Sequence, residues 1–227
     1  PAGLSCAYFL ARLGYRPTVF EAQPRPGGML VQAIPEYRLP REVVAREIRM
    51  IESLGVEIRT DCALGRDISL EQVSGEYRAI YLAIGAALGS SMGLPGEESA
   101  GVIQALDFLR QYNIRGSARV GRRVVIVGGG NAAIDAARTA MRLGAEEVTV
   151  VYRRNQEQMP AYAEEVEEAL HEGVKIRPLM QPLAFLSDSS GRVRAVRCMA
   201  MVLGEFDRSG RRRPEESGSE SVEIEAD

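Results

Sequence analysis

The strongest constraint on the fold is a glycine-rich turn between an apolar β-branched run and an alanine-rich run, VVIVGGGNAAIDAARTA, at residues 124–140. The turn fits the pattern GxGxxA, directly after a predicted strand and directly before a predicted helix. Gly128 permits the tight turn, Gly130 lets the backbone approach a pyrophosphate, and Ala133 lets helix and strand pack closely. Unpaired N–H groups at the start of the helix then favour an anion. The run therefore predicts a dinucleotide-binding unit.

The side chains after the second strand of this unit indicate which dinucleotide binds. In NAD-binding folds an acidic residue about 20 residues past the turn bonds the ribose 2′-hydroxyl, whereas this chain has Arg153 and Arg154 there. Guanidinium groups bind a 2′-phosphate through charge-assisted, bidentate hydrogen bonds, and a carboxylate would repel it. The pair predicts NADPH rather than NADH, although an exposed basic pair at a strand end would show the same letters.

The N-terminal run PAGLSCAYFLARLGYRPTVFEA matches the second half of the same motif. Gly3 takes the third glycine position, a helix follows it, and Glu21 ends the second strand. The first two glycines and the strand ahead of them are missing. An acid at this position suits an unphosphorylated ribose, as in FAD. Opposite charges at the discriminating position of two units imply two different dinucleotides.

The alternation of strands and helices predicts an α/β protein with two Rossmann-like, three-layer domains, each with a parallel central sheet covered on both faces. Residues 1–118 are predicted to be an incomplete FAD-binding domain and residues 119–227 an NADPH-binding domain. Periodicity and Gly/Pro signals predict helices at 2–13, 41–54, 102–112, 131–143 and 161–171, strands at 18–20, 56–59, 123–127, 148–152, 174–177, 184–186 and 193–202, an apolar run at 79–84, a loop at 23–40 and a charged hairpin loop at 206–220.

Composition disfavours several classes of function. Hydrophobic residues make up 45% of the chain, no apolar run approaches the roughly 18–20 residues that cross a bilayer, and the formal charge is −3, so we expect a soluble protein without nucleic-acid or membrane partners. Cys6, Cys62 and Cys198 form no CxxC pair, which indicates a reducing, cytoplasmic compartment, no metal site and no dithiol redox pair. His171, the only histidine, is interpreted as a helix-terminal cation or a solvent contact rather than a catalyst.

Several motifs in one order resemble the two-dinucleotide flavoproteins, and among them the small (β) subunit family of NADPH-dependent glutamate synthase and its relatives, including the electron-entry half of dihydropyrimidine dehydrogenase. The motifs are PAGLSCAYFLARLG, GGMLVQAIPEYRLPREVV, AIGA before GLPGEE, VVIVGGGNAAIDAARTA and VYRRNQEQMPA. The resemblance covers the chain to about residue 180, and RNQEQMPA is more similar to the glutamate synthase branch.

The resemblance implies that FAD lies along the first domain, with Glu21 on its ribose, Gly28 and Leu30 along its path, and Arg38 near the phosphates or the flavin edge. The cofactor-binding residues implied in this way are Gly3, Glu21, Gly28, Leu30, Arg38 and Gly85 for FAD, and Gly128, Gly130, Asn131, Ala132, Ala133, Arg153 and Arg154 for NADPH.

By the same resemblance the activity is hydride transfer from NADPH to FAD, with onward electron delivery through iron–sulfur clusters to a large glutamate synthase-type subunit or an iron–sulfur domain. The cofactors carry this chemistry, and no catalytic acid or base is needed. The sequence has no cysteine-rich segment and stops at VEIEAD, so we expect a piece of a longer flavoprotein that retains FAD poorly. The alternative is a non-catalytic NADPH-binding scaffold. A disulfide reductase is disfavoured because that chemistry needs two nearby thiols.

Overall fold

The computed structural model describes residues 1–207, 210–218 and 220–227. The chain divides into two compact units, which we call unit 1 (Pro1–Leu88 and Arg110–Gly116) and unit 2 (Gly89–Leu109 and Ser117–Asp227). Both are α/β with parallel strands, as the sequence predicts. Among the described residues, no helix has the length and apolar character needed to span a bilayer.

The division between the units differs from the predicted boundary after residue 118. Residues 89–109 belong with unit 2 because their backbone is hydrogen-bonded to its strands. The Phe185 N–H donates to the carbonyl of Pro95, and the Val193 N–H donates to the carbonyl of Ala100, both at 2.8 Å. These pairings join residues far apart in sequence, which no local pattern reveals.

Unit 1 is built from helices around a small parallel sheet, and a π-helix, Gln111–Arg115, also belongs to it. Its elements in chain order are α1 (Ala2–Arg12), β1 (Thr18–Phe20), α2 (Met29–Gln32), α3 (Arg41–Glu52), β2 (Glu57–Arg59) and α4 (Leu70–Glu76). Strands β1 and β2 pair in parallel. The amphipathic helix α3 buries Val44, Ile48 and Ile51, which is the face that its helical periodicity predicts.

Two elements of unit 1 are absent from the sequence prediction. Helix α2 lies inside the predicted loop 23–40, and α4 begins at a capping box in which Ser69 and Gln72 bond each other's backbone N–H groups. The apolar run 79–84 forms no regular element, and its side chains are exposed. The predicted helix 102–112 is observed as α5 (Ala105–Arg110), which continues into the π-helix.

Unit 2 places a parallel sheet between helices and an antiparallel sheet. Its elements after α5 are β3 (Arg123–Val127), α6 (Asn131–Arg142), β4 (Glu147–Tyr152), a 3₁₀ turn (Gln156–Gln158), α7 (Ala163–His171), β5 (Lys175–Pro178), β6 (Met180–Ser187), β7 (Val193–Phe206), β8 (Arg212–Glu216) and β9 (Val222–Glu225). Strands β3, β4 and β5 are parallel in that order, while β7 pairs antiparallel with β6, β8 and β9.

The apolar strands of the parallel sheet are packed on both faces. Helix α6 packs on β3 and β4 through small residues such as Ala137 and Ala140, which are fully buried. On the other face, Val151 of β4 packs with Phe185 and Val196 of the antiparallel sheet. The predicted hairpin loop 206–220 contains strand β8, and Arg208, Ser209 and Ser219 of that prediction lie outside the described residues.

Candidate dinucleotide site

The three consecutive glycines after β3 have different conformations and surroundings. Gly128 has φ +130°, a conformation that side chains rarely adopt. A Cβ on Gly129 would come within 2.7 Å of the Tyr152 ring. A Cβ on Gly130, which is the N-cap of α6, would meet no protein atom within 4 Å. Packing within the protein therefore does not explain Gly130, and its role in the approach of a pyrophosphate stays a prediction.

The segment after β4 is fixed against the glycine turn. The Ala161 N–H donates to the carbonyl of Gly129, and the Tyr162 N–H donates to Oδ1 of Asn131, both at 3.1 Å. The Tyr152 hydroxyl donates to the Gln158 carbonyl at 2.9 Å. The run RNQEQMPA thus begins at the end of β4 and returns to the start of α6. These hydrogen bonds connect the turn, the start of α6 and the end of β4.

A cavity of about 360 Å³ opens beside the turn, at the carboxyl ends of β3 and β4. Its lining residues are Met92, Leu94, Val127, Gly128, Val151, Tyr152, Arg153, Gln181 and Pro182. Arg153 is exposed and is the charged residue of this lining. The cavity therefore combines an apolar wall with a guanidinium group and a glycine turn. Such a combination suits a nucleotide, which has an aromatic base and anionic phosphates.

The two arginines after β4 have different surroundings. Arg154 is only 5% exposed. Its Nε donates to the Arg212 carbonyl at 3.0 Å and its Nη2 to the Asp207 carboxylate at 2.9 Å. Two of its donor positions are therefore engaged with the β7–β8 hairpin, while Arg153 lines the cavity. Phosphate binding by either arginine stays a prediction, and these contacts favour Arg153 as the one that meets the ligand.

The other predicted residues of unit 2 surround the same turn. Ala133 is buried in the first turn of α6, next to Gly128. Asn131 and Ala132 are the first two residues of α6, where backbone N–H groups have no intrahelical acceptor. The sequence prediction missed Met92, Leu94, Gln181 and Pro182. They reach the cavity through tertiary contacts and have no motif of their own.

In unit 1 the predicted FAD-binding residues lie at strand and helix ends. Glu21 follows β1, and its Oε1 accepts a hydrogen bond from the Gln23 N–H at 2.9 Å. Gly3 lies in α1, where a Cβ would come 3.2 Å from that of Ala83, so the close packing expected of a third glycine is present.

The remaining residues predicted for FAD lie in the short helix α2 or in loops of unit 1. Gly28 is the N-cap of α2 and has φ +58°, and Leu30 follows within the helix. Arg38 is half-buried, and Gly85 is exposed with φ +68°. Their contacts with FAD stay predictions.

The three cysteines are free thiols in different surroundings. Cys6 and Cys62 are partly exposed free thiols. Cys198 is buried in the core of unit 2, and this burial raises the pKa of its thiol to about 11, which keeps it protonated near neutral pH. Among the described residues there is no cluster of three or more His, Cys, Asp or Glu that could hold a metal ion.

The chain is similar to subunits of NADP(H)-dependent oxidoreductases. The β subunit of NADP(+)-dependent formate dehydrogenase from Moorella thermoacetica is 46% identical over 94% of this chain and 31% of its own length. The small chain of NADPH glutamate synthase from Escherichia coli is 38% identical over 98% of this chain and 50% of its own length. The chain therefore spans 31% to 50% of the length of these relatives.

Among solved structures, FprA from Mycobacterium tuberculosis in complex with NADPH superposes with a TM-score of 0.82 over 99% of this chain and 66% of that one, at 18% identity, which shows the shared fold. The family model described as pyridine nucleotide-disulphide oxidoreductase matches residues 1–198. Binding of FAD and NADPH is typical of that family. The chain therefore belongs to the pyridine nucleotide-disulphide oxidoreductase family.

Proposed function

We propose that this chain is the NADPH- and FAD-binding module of a longer oxidoreductase, and that its electrons pass on through iron–sulfur clusters of a partner subunit or domain. The names of its relatives combine NADP(H) with different second reactants, formate in one and glutamate synthesis in another. The conserved part of their function would then be electron entry from NADPH. Delivery to a large glutamate synthase-type subunit is the specific role that we propose.

The observation that carries this proposal is that Gly130 and Arg153 lie at the same site, one in the glycine turn and the other in the lining of the cavity beside it. Gly130 leaves open space where a Cβ would stand, at the start of a twelve-residue helix. Arg153 lies at the end of β4 and lines the cavity beside the turn. The residues present therefore fit a pyrophosphate at the helix start and an adenosine 2′-phosphate at the strand end. Bound NADPH supplies a hydride and bound FAD its acceptor.

The chain's own task would be to orient the two dinucleotides. In unit 2, the first N–H groups of α6 would bind the pyrophosphate and the Arg153 guanidinium the 2′-phosphate. In unit 1, the carboxylate of Glu21, held by the Gln23 N–H, would accept hydrogen bonds from the FAD ribose. In this proposal unit 1 would bind the ribose end of FAD through Glu21.

The proposal is tested by titrating the chain with NADPH and NADH. Arg153→Ala is expected to weaken NADPH binding by about 1.5–3 kcal/mol, because it removes charge-assisted hydrogen bonds to the 2′-phosphate. NADH lacks that phosphate, so its affinity should stay unchanged. Arg122→Ala is a matched control, because Arg122 is an exposed arginine at the opposite end of the same sheet, next to β3. Equal losses for both coenzymes in Arg153→Ala would refute the assignment.

The flavin part needs a separate measurement on the longer protein. A yellow protein that is bleached by NADPH under anaerobic conditions would support electron transfer. A colourless protein that binds NADPH would instead support the non-catalytic scaffold.

A further inference from the structure

Helix α2 of unit 1 is held by side chains from outside it. It has only four residues, Met29–Gln32, and a helix of this length cannot sustain itself in water. The carbonyls at its end would also lack intrahelical partners. The guanidinium of Arg41 supplies two of the missing donors: Nη1 donates to the Leu30 carbonyl and Nη2 to the Ile34 carbonyl, both at 2.8 Å.

Asn113 completes the set from a distant part of the chain. Its Nδ2 donates to the carbonyls of Gln32 at 3.1 Å and Ala33 at 3.2 Å. Its Oδ1 accepts a hydrogen bond from Nη2 of Arg41 at 2.7 Å. Two side chains that bind each other therefore capture four carbonyls between Leu30 and Ile34. We call this arrangement the carbonyl clamp.

The surroundings of the clamp indicate a role beyond general stability. Asn113 lies in the π-helix Gln111–Arg115, and π-helical turns occur frequently at functional sites. The clamped segment directly follows Gly27 and Gly28, whose φ angles of +127° and +58° only glycine adopts readily. The chain enters α2 directly after these two glycines, so the position of α2 affects their backbone. Asn113 thus binds the backbone of a segment about 80 residues away in sequence.

We propose that Asn113 is a positioning residue that presents Gly28 and Leu30 to the flavin dinucleotide. This step rests on the proposed function, because it takes FAD as the ligand of unit 1. Asn113 itself does not touch the ligand. It acts through the main chain of α2, which stays in one conformation only while both amide donations and the bond to Arg41 are made.

The clamp is tested first without any cofactor, by amide hydrogen exchange in the full chain. The N–H groups of residues 31–34 donate to the carbonyls of Gly28 and Met29 and report directly on α2. Asn113→Ala should accelerate their exchange about tenfold, since two hydrogen bonds are lost, and leave exchange in α3 unchanged. Asn113→Asp, which keeps the acceptor for Arg41 and loses both donations, should accelerate it too. Gln111→Ala, in the same π-helix, is the matched control.

The second measurement is the affinity of the longer protein for FAD. It is monitored by the quenching of flavin fluorescence as protein is added. Asn113→Ala should raise the FAD dissociation constant about tenfold and leave the NADPH dissociation constant of unit 2 unchanged, whereas Gln111→Ala should change neither. Unchanged exchange at residues 31–34 in Asn113→Ala, or faster exchange with unchanged FAD affinity, overturns the inference alone. Wild-type longer protein that binds no FAD overturns the proposed function and the inference with it.

Discussion

Arg153 and Arg154 are adjacent and identical in type, yet the fold gives them different tasks. In an extended strand end, successive side chains point to opposite sides. Arg153 accordingly lines the cavity, while Arg154 is buried against the β7–β8 hairpin. The sequence predicted that both residues follow the second strand, because this depends on local spacing from the glycine turn. It could not predict the partner of Arg154, because Asp207 approaches only when the hairpin folds back.

We expect the two arginines to contribute to different properties, Arg153 to NADPH affinity and Arg154 to the stability of the fold. Arg154→Ala should lower the free energy of unfolding by about 3 kcal/mol, because it removes one partner of a largely buried ion pair. Arg153→Ala should change that free energy by no more than about 0.5 kcal/mol, since the side chain is exposed. Urea unfolding of both variants beside wild type checks this. Equal stability losses in the two variants would contradict the contacts described for Arg154.

Helices and strands whose ends are marked by neighbouring residues could be predicted, whereas those that depend on distant residues could not. Strand β3, Arg123–Val127, was predicted with its observed bounds, because an apolar run before a glycine turn marks both ends. Helix α4 was missed although its capping box, Ser69 and Gln72, is readable in the sequence. Helix α2 and strand β8 could not be predicted in this way. The first depends on Arg41 and Asn113, and the second on pairing with β7.

Segment 79–88 forms no helix or strand and exposes several large apolar side chains. Ile84 is 76% exposed and Leu88 is 88% exposed, and Tyr81 and Leu82 are more than half exposed. Contiguous apolar surface of this kind promotes association. The double variant Ile84→Thr, Leu88→Gln should therefore reduce concentration-dependent light scattering and binding of a hydrophobic dye. It should change the free energy of unfolding by about 0.5 kcal/mol or less, because neither side chain is packed.

A matched control for this prediction comes from the buried face of α3. Ile48→Thr makes the same kind of change at a side chain that is only 8% exposed. It should destabilise the chain by more than about 1 kcal/mol and should not reduce association. If the double variant unfolds as readily as Ile48→Thr does, segment 79–88 is packed in solution and the prediction is wrong.

For the molecule as a whole, two units with separate cores imply that a ligand of one unit stabilises that unit. The residues that fit NADPH all belong to unit 2, and those that fit the FAD ribose belong to unit 1. NADPH at 100 times its dissociation constant should stabilise the state that binds it by about 2.7 kcal/mol. Amide exchange should then slow in β3 and α6 and remain unchanged in α3.

NADH at the same concentration, and NADPH with Arg153→Ala, should slow amide exchange in β3 and α6 much less. Equal slowing in α3 and α6 would mean that the units unfold together, and slowing in α3 alone would place the NADPH site in unit 1.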